Sequence, residues 1–505
     1  MVHLEAHDAL TFFSGPEKEL EKMLVCLRIK DPRGFWKAKA ILRRLAYLPP
    51  DVRNARVEQI KQSSQWIKFY NLRNKSFGTG LLGLVRKHLK TSKLPFRVKD
   101  CRRHLPVQDP EGATFIFQDK IEDRPEQVKA LRAALKAGRG ILHCATNAGK
   151  TEIAAGIVAW VQKRLRDTPR TLFLVHRKDL AIQTAERFRK HLSVKVSIIF
   201  GGSYKPSDIT VATVQTASRL LKKSAAFRYF LETCDILFID EFHVNKAKQA
   251  SAVFNRCAAP MRFGLSGTIS KNPEKLMYYR AATGGVLAKI TNEELIELGR
   301  SAKPIIRMVG VGSKGWWCCH HEKPEHESWC GIGRQRKDSY VAAYLQCIVH
   351  SDVRNEKVLS EIKRHLNKDR RVLVTVDRIR HGHILRRMCQ RAELECNFIS
   401  GSTSMPLRKQ ARSEFTKGRV PILIVSSIFN VGIDLPAIDG WVNAAAGKGW
   451  ELCLQRVGRT LRRKSGQNVV YISDFMDYGN KYLLKHSRLR LRYYREEGFQ
   501  VKVIE

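Results

Sequence analysis

From about residue 120 the chain repeats one pattern: a short apolar run, a turn, then a longer stretch with apolar residues at helical spacing. Runs at 140–144, 171–175, 210–213 and 236–239 read as strands, and 151–165 and 180–191 as amphipathic helices. Strands alternating with helices in this way predict a parallel, doubly wound sheet. The pattern pauses at about 301–339, in a stretch rich in Gly, Trp, Cys and His. It resumes with helices at 352–366 and 380–392 and strands at 371–376, 422–425, 440–442 and 469–472, so a second α/β domain is expected. Ahead of both, residues 1–110 mix helical stretches such as 35–44 with short strand candidates. There Gly78-Thr79-Gly80 opens a helical pattern at 81–89, 94–98 reads as a strand, and the turn-rich 108–112 closes the unit.

The expected architecture is α/β: two tandem doubly wound parallel-sheet lobes preceded by a small α+β N-terminal domain. The expected boundaries are 1–110 for a nucleic-acid-binding domain, 111–300 for the first lobe and 301–340 for an irregular insertion. Residues 341–480 are expected to form the second lobe and 481–505 a basic C-terminal helix. A length of 505 residues accommodates this, at roughly 100–200 residues per domain.

Charge adds the next constraint. Lys and Arg number 91 against 48 Asp and Glu, a formal +43, and such a field attracts polyanions. The excess is not confined to a tail: residues 1–110 hold more than twice as many basic as acidic residues, and the remainder is basic too. A phosphate-lined partner running across several domains fits this distribution. The N-terminus shows no basic region followed by an apolar run, and no stretch approaches ~18 uninterrupted apolar residues. Neither secretion nor membrane insertion is expected, and the cytoplasm (the host's, for a viral protein) is the expected location. The 12 cysteines are scattered, several in apolar segments such as Cys144, Cys347 and Cys453, which reads as reduced core thiols.

The segment Cys144-Ala145-Thr146-Asn147-Ala148-Gly149-Lys150-Thr151 joins a predicted strand to a predicted helix. A P-loop needs this geometry, because backbone N–H groups of residues such as Thr146, Asn147, Ala148 and Gly149 can wrap phosphates at a helix N-terminus. Lys150 is placed to reach the β- and γ-phosphates of ATP, and the Thr151 hydroxyl to ligate Mg²⁺. Cys144 stands where the motif usually starts with glycine. Asn147 occupies another turn position, and Asn tolerates positive φ better than most side chains. About 90 residues later an apolar strand ends in Asp240-Glu241-Phe242-His243. Carboxylates at the carboxyl edge of such a sheet suit Mg²⁺ binding by Asp240 and polarisation of the attacking water by Glu241.

Asp-Glu-Phe-His resembles motif II of the superfamily 2 DEAD/DEAH-type helicases, and the rest of that family's motifs follow in order. Arg124 and Gln127 resemble the adenine-reading segment, 175–180 with Arg177 resembles motif Ia, and 213–216 with Thr213 and Gln215 the next nucleic-acid-contacting motif. Ser266-Gly267-Thr268 resembles motif III which, with His243, is implied to couple hydrolysis to motion. In the second lobe 372–377 resembles motif IV and Gly432-Ile433-Asp434 motif V, implied to bind ATP. Gln455-Arg456-Val457-Gly458-Arg459-Thr460-Leu461-Arg462 resembles motif VI. That likeness makes Arg459 and Arg462 arginine-finger candidates, and gives Gln455 the γ-phosphate or the water to contact. The resemblance covers roughly 120–475 and implies two RecA-like lobes. Its detail, in 264–268, in 290–303 and in 78–82 ahead of the motor, is similar to the phage UvsW and XPB-like branch. This implies an ATP-dependent DNA helicase or translocase that unwinds or remodels forks and junctions in replication, recombination or repair, with ATP and Mg²⁺ as cofactors. No counterpart of the Arg-Glu-Asp element of XPB proteins is visible.

Other readings stay open. An RNA helicase shares the same backbone-reading motifs. The altered P-loop also admits a DNA-annealing or architectural protein with a weak motor, and a restriction-subunit translocase is a further possibility. In the N-terminal domain Trp36, Lys37, Lys39, Arg43 and Arg44, with Trp66, Lys68 and Tyr70, suit phosphate contact plus base stacking, or equally a core with a charged outer face. The tail 488–495 reads first as an amphipathic helix and second as a nucleic-acid contact. Cys318, Cys319, His320, His321, His326 and Cys330 fit no standard zinc spacing, so no zinc is expected there. A monomer is expected.

Overall fold

The computed structural model describes residues 1–31, 65–105, 109–117, 123–192, 194–200, 207–240, 247–269, 272–312, 340–426, 438–447 and 468–504. It divides into two compact units, residues 1–144 with 149–289, and residues 290–505 with 145–148.

The first unit begins with a five-stranded sheet in the order β5-β6-β2-β1-β7. Its strands are β1 (Val2–Ala6), β2 (Leu10–Ser14), β5 (Tyr70–Asn71), β6 (Ser76–Gly78) and β7 (Phe96–Asp100), and β3 (Arg28–Lys30) and β4 (Trp66–Lys68) form a separate ribbon. The strand expected at 94–98 thus lies two residues further on, where β7 pairs parallel with β1. Val2, Leu4 and Ala6 alternate inward along β1 and pack on the helix Leu82–Thr91 through Val85 and Leu89.

This small sheet is not a free-standing domain. Its core also takes in Met277, Tyr278 and Ala281 from the helix Pro273–Ala282 of the following lobe. Gly80 explains part of the fit: a β-carbon there would stand 2.0 Å from the Arg280 carbonyl oxygen. Arginines complete the attachment. Arg262, 1% exposed, and Arg139 both donate to the Asp8 carbonyl, and Arg103 binds the Asp8 carboxylate and the carbonyls of Cys234 and Ala258.

The rest of the unit is a seven-stranded sheet ordered β10-β11-β9-β12-β13-β8-β14. Its strands are β8 (Arg139–Cys144), β9 (Thr171–Val175), β10 (Val196–Ile199), β11 (Ile209–Thr213), β12 (Ile236–Asp240), β13 (Met261–Ser266) and β14 (Val286–Ile290). The strands from β10 through β8 pair in parallel. Helices cover the sheet, and β9, β11 and β13 are buried at every position, which is why they read as unbroken apolar runs.

The second unit is built on another seven-stranded sheet, ordered β17-β18-β16-β19-β20-β15-β21 and parallel throughout. Here β16 is Val372–Thr375, β17 Cys396–Ile399, β18 Ile422–Val425, β19 Gly440–Asn443 and β20 Val469–Asp477. Two strands correct the sequence expectation. The supposed irregular stretch opens with β15 (Lys303–Val311), which pairs along its whole length with β20. The supposed C-terminal helix, Lys481–Glu496, is followed by β21 (Gln500–Ile504), which joins the sheet beside β15. Across the described residues, no helix is long and apolar enough to cross a membrane.

Candidate nucleotide site

The P-loop lies where strand, turn and helix meet. β8 ends at the buried Cys144, and the helix Lys150–Leu165 begins after a turn with Asn147 at φ 73° and Gly149 at φ 78°. Both angles lie in the left-handed region, so the asparagine does adopt the conformation its position demands. The N-cap has no side-chain hydrogen bond, which leaves the first helical N–H groups to a ligand. Lys150 Nζ lies 3.4 Å from the Cys144 carbonyl oxygen, and no carboxylate pairs with it among the described residues. A cationic group beside a helix N-terminus fits a phosphate chain.

Gln127 packs onto this turn. It sits in the first turn of the helix Pro125–Ala137, where Arg124 is the N-cap residue and Pro125 opens the helix. Arg124 contributes its carbonyl to the Gln127 and Val128 amides, and its side chain is half-exposed. Gln127 is buried, and its Nε2 lies 2.1 Å from where a β-carbon on Gly149 would stand.

Asp240 is the last residue of β12, opposite Leu265 of β13, which in turn lies opposite Leu142 of β8. Asp240 and the P-loop strand are therefore two strand spacings apart at one edge of the sheet, about 10 Å. The partners expected beside Asp240, Glu241 and His243, lie outside the described residues. Thr151 occupies the first turn of the P-loop helix, at the same carboxyl edge.

Motif III forms a tight turn after β13: Ser266 Oγ donates to the Thr268 carbonyl at 2.6 Å and accepts from the Thr268 amide at 3.3 Å. Beside it, burial pushes the His143 imidazole down to about 4. Lys289 and Lys150 act in the same direction, against a hydrogen bond to the Gly267 backbone. His143 is therefore neutral at physiological pH and adds no charge next to Lys150.

Of the expected nucleic-acid contacts, Arg177 is half-exposed two residues after the end of β9, and Gln215 is exposed in the first turn of the helix Val214–Lys223. Thr213 differs from expectation. Its hydroxyl is buried and caps that helix, bonding Thr216 through both the amide and Oγ1. It positions the turn instead of offering a free donor. Trp66 is exposed on β4, whereas the Tyr70 hydroxyl accepts from Arg28 Nε at 2.8 Å. Trp36, Lys37, Lys39, Arg43 and Arg44 lie outside the described residues. So do Gly432, Asp434, Gln455, Arg459 and Arg462, and the Cys/His stretch from Cys318 to Cys330.

Sequence reasoning missed two fully buried arginines in the second unit, Arg354 and Arg490. Arg490 donates to both carboxylate oxygens of Asp474, and Arg354 Nε to Asp477. The available signal was the pair of acids interrupting the apolar run of β20. The one group of described residues able to gather around a metal is Glu5, His7 and Cys101, but Lys99 Nζ already lies 3.6 Å from Glu5 Oε1.

Comparison with known proteins agrees with this geometry. Residues 120–271 match the type III restriction enzyme res-subunit family, and 354–464 match the helicase conserved C-terminal domain; together they cover more than half of the chain. The chain is 26% identical over 406 residues to the DNA 3′-5′ translocase XPB2 of Sulfurisphaera tokodaii, spanning 74% of this chain and 88% of that protein. It is 22% identical over 408 residues to the ATP-dependent DNA helicase uvsW of Enterobacteria phage T4, spanning 75% of this chain and 76% of that one. The solved Mycobacterium smegmatis helicase Lhr, bound to ssDNA and AMP-PNP, shares the fold at a TM-score of 0.51 and 17% identity, over 79% of this chain and 51% of that one. With a P-loop and an acid-ended strand on one sheet edge, and the res-subunit and helicase C-terminal families matched in series, the chain belongs to the superfamily 2 helicases, close to UvsW and XPB, and is an ATP-dependent helicase.

Proposed function

We propose that this helicase acts on DNA, unwinding or remodelling forks and junctions. The observation that carries the ATPase half is the convergence of Lys150, Thr151 and Asp240 at the carboxyl edge of one parallel sheet. Lys150 holds the β- and γ-phosphates, the N–H groups at the start of the helix Lys150–Leu165 orient them, and Gln127 with Arg124 reads the base. Thr151 and Asp240 would hold Mg²⁺, which when bound neutralises charge on the phosphates. Glu241 orients and deprotonates water, while Arg459 and Arg462 stabilise charge at the γ-phosphate from the second lobe. Loss of the γ-phosphate then releases one lobe from the other, which biases a two-state motor toward opening.

DNA is favoured by the similarity to a DNA translocase and a DNA helicase, and by charge. Arg177 and Gln215 are the first-lobe contacts in this reading, with backbone phosphates as their targets because a motor must cross any sequence. The exposed face of the C-terminal helix carries Lys481, Lys485, Arg488, Arg492 and Arg495, a basic stripe suited to a phosphate backbone. A monomer in a cytoplasmic setting completes the proposal.

The test is an ATPase and unwinding panel over single strands, duplexes, forks, four-way junctions and matched RNA. Strongest stimulation and unwinding with forks or junctions is expected, and stimulation by RNA alone would refute the DNA reading. Equal background hydrolysis by the wild type and Lys150→Ala would instead favour a DNA-annealing protein without a working motor.

A further inference from the structure

Along β1, Val2, Leu4 and Ala6 face the core, so Glu5 lies on the outer face of the N-terminal sheet, and His7 follows two residues on. β7 runs parallel to β1, with Lys99 opposite Glu5 and Asp100 opposite Ala6. The next residue, Cys101, donates its amide to the Ala6 carbonyl at 2.8 Å. Its thiol donates to Glu5 Oε1 at 3.5 Å, and His7 Nε2 lies 3.4 Å from the same oxygen. The three ligand atoms all lie within 4.8 Å of one another. A thiol, an imidazole and a carboxylate from two adjacent strands thus converge on one point.

The separations match those around a tetrahedral zinc ion. Zn–S and Zn–N or Zn–O bonds of about 2.3 and 2.0–2.1 Å give edges of about 3.6 Å for S···O and about 3.4 Å for N···O. The donors are also the right kind: thiolate and imidazole suit Zn²⁺, whereas Mg²⁺ and Ca²⁺ take oxygen alone. Charge balances, because the carboxylate and the thiolate together offset the ion, and the thiol proton passes to solvent. His7 is held in place before any ion arrives. Its amide donates to the Leu10 carbonyl at 3.0 Å, its carbonyl accepts from Thr79 Oγ1 at 2.8 Å, and its ring stands edge-on to Phe12. Glu5, His7 and Cys101 are all half-exposed, so water can take the fourth position. Two cations stand nearby. Arg102 is taken up by Asp100, with Nε 2.7 Å from Oδ1. Lys99 is the competitor for Glu5, but its side chain is 73% exposed, and such a surface pair is weak and screened.

We propose that Glu5, His7 and Cys101 form a Zn²⁺ site, which staples the chain leaving β7 to the end of β1. Two residues beyond Cys101, Arg103 binds Asp8 and the first-lobe carbonyls, so the ion would secure the start of that crossing. The full chain, stripped with a chelator, is titrated with Zn²⁺ and with Co²⁺ alone, and thermal midpoints are read with and without Zn²⁺. One equivalent is expected to bind at micromolar concentration or below, with a thiolate-to-cobalt charge-transfer band and a raised midpoint. Cys101→Ser should lose the band and the rise in midpoint. His7→Ala and Glu5→Gln should weaken binding by about tenfold or more, and Lys99→Met should tighten it. The altered side chains are at the surface, so the variants should fold, and circular dichroism checks this. No binding at about 100 μM, far above the range expected of a zinc site, overturns the proposal. So does an unchanged band in Cys101→Ser, which would put the metal on other thiols. Binding that needs Cys101 but is indifferent to both His7→Ala and Glu5→Gln overturns it too, leaving a single reactive thiol.

Discussion

The side-chain amide of Gln127 occupies the space that a β-carbon on Gly149 would need, 2.1 Å from Nε2. The residue before the P-loop lysine is thus glycine for two reasons, its φ of 78° and its close neighbour. Gly149→Ala is expected to push Gln127 off the turn, raising the KM for ATP by about tenfold, equivalent to about 1.4 kcal/mol. Steady-state ATPase assays check this, and an unchanged KM would show that the turn tolerates the displacement.

Lys150→Ala should lower kcat by about 100-fold or more, since it removes a charge aimed at the phosphates while leaving the fold intact. Hydrolysis at saturating ATP, with circular dichroism to confirm folding, reads the effect.

Gly80→Ala is predicted to weaken the attachment of the N-terminal sheet to the first lobe. The new methyl group would lie 2.0 Å from the Arg280 carbonyl and 2.8 Å from the Gly284 nitrogen, both backbone atoms that cannot turn aside. A loss of about 1–3 kcal/mol is expected, as for other overpacked sites. Denaturant unfolding would record it, and a neutral result would count against the shared core.

Stability should also fall in acid. Burial, and then Arg370, lowers His365 to about 4, while burial and Arg354 lower His381 to about 3. Unfolded, both imidazoles titrate near 6.5. Between those limits unfolding takes up protons, so stability drops as the pH falls below about 6.5, by about 1.4 kcal/mol per pH unit for each ring. Above that range neither ring contributes a pH dependence. Thermal midpoints at about pH 7 and pH 5 should therefore converge partly in His381→Asn, and an unaltered pH dependence would contradict the assignment.

Arg177→Ala should reduce the slope of log affinity against log salt by about 0.7–0.9, the signature of one lost phosphate contact. Thr213→Val should instead cost about 1 kcal/mol of stability through its lost cap, with little change in that slope. Salt titrations of DNA binding separate the two roles.

Read alone, the sequence set the order in which the candidate motifs occur: Lys150 and Thr151 before Asp240, motif III next, and the motif VI arginines last. It determined the parallel lobes too, because β9, β11 and β13 are buried on both faces and leave unbroken apolar runs. Only the tertiary structure decided that β15 and β21 flank the second sheet, since parallel partners more than 150 residues apart leave no local periodicity. The shared core around Met277, the cap of Thr213 and the buried ion pairs of Arg354 and Arg490 were hidden for a related reason. A polar side chain declares itself buried only through the partners that satisfy it, and those come from elsewhere in the chain.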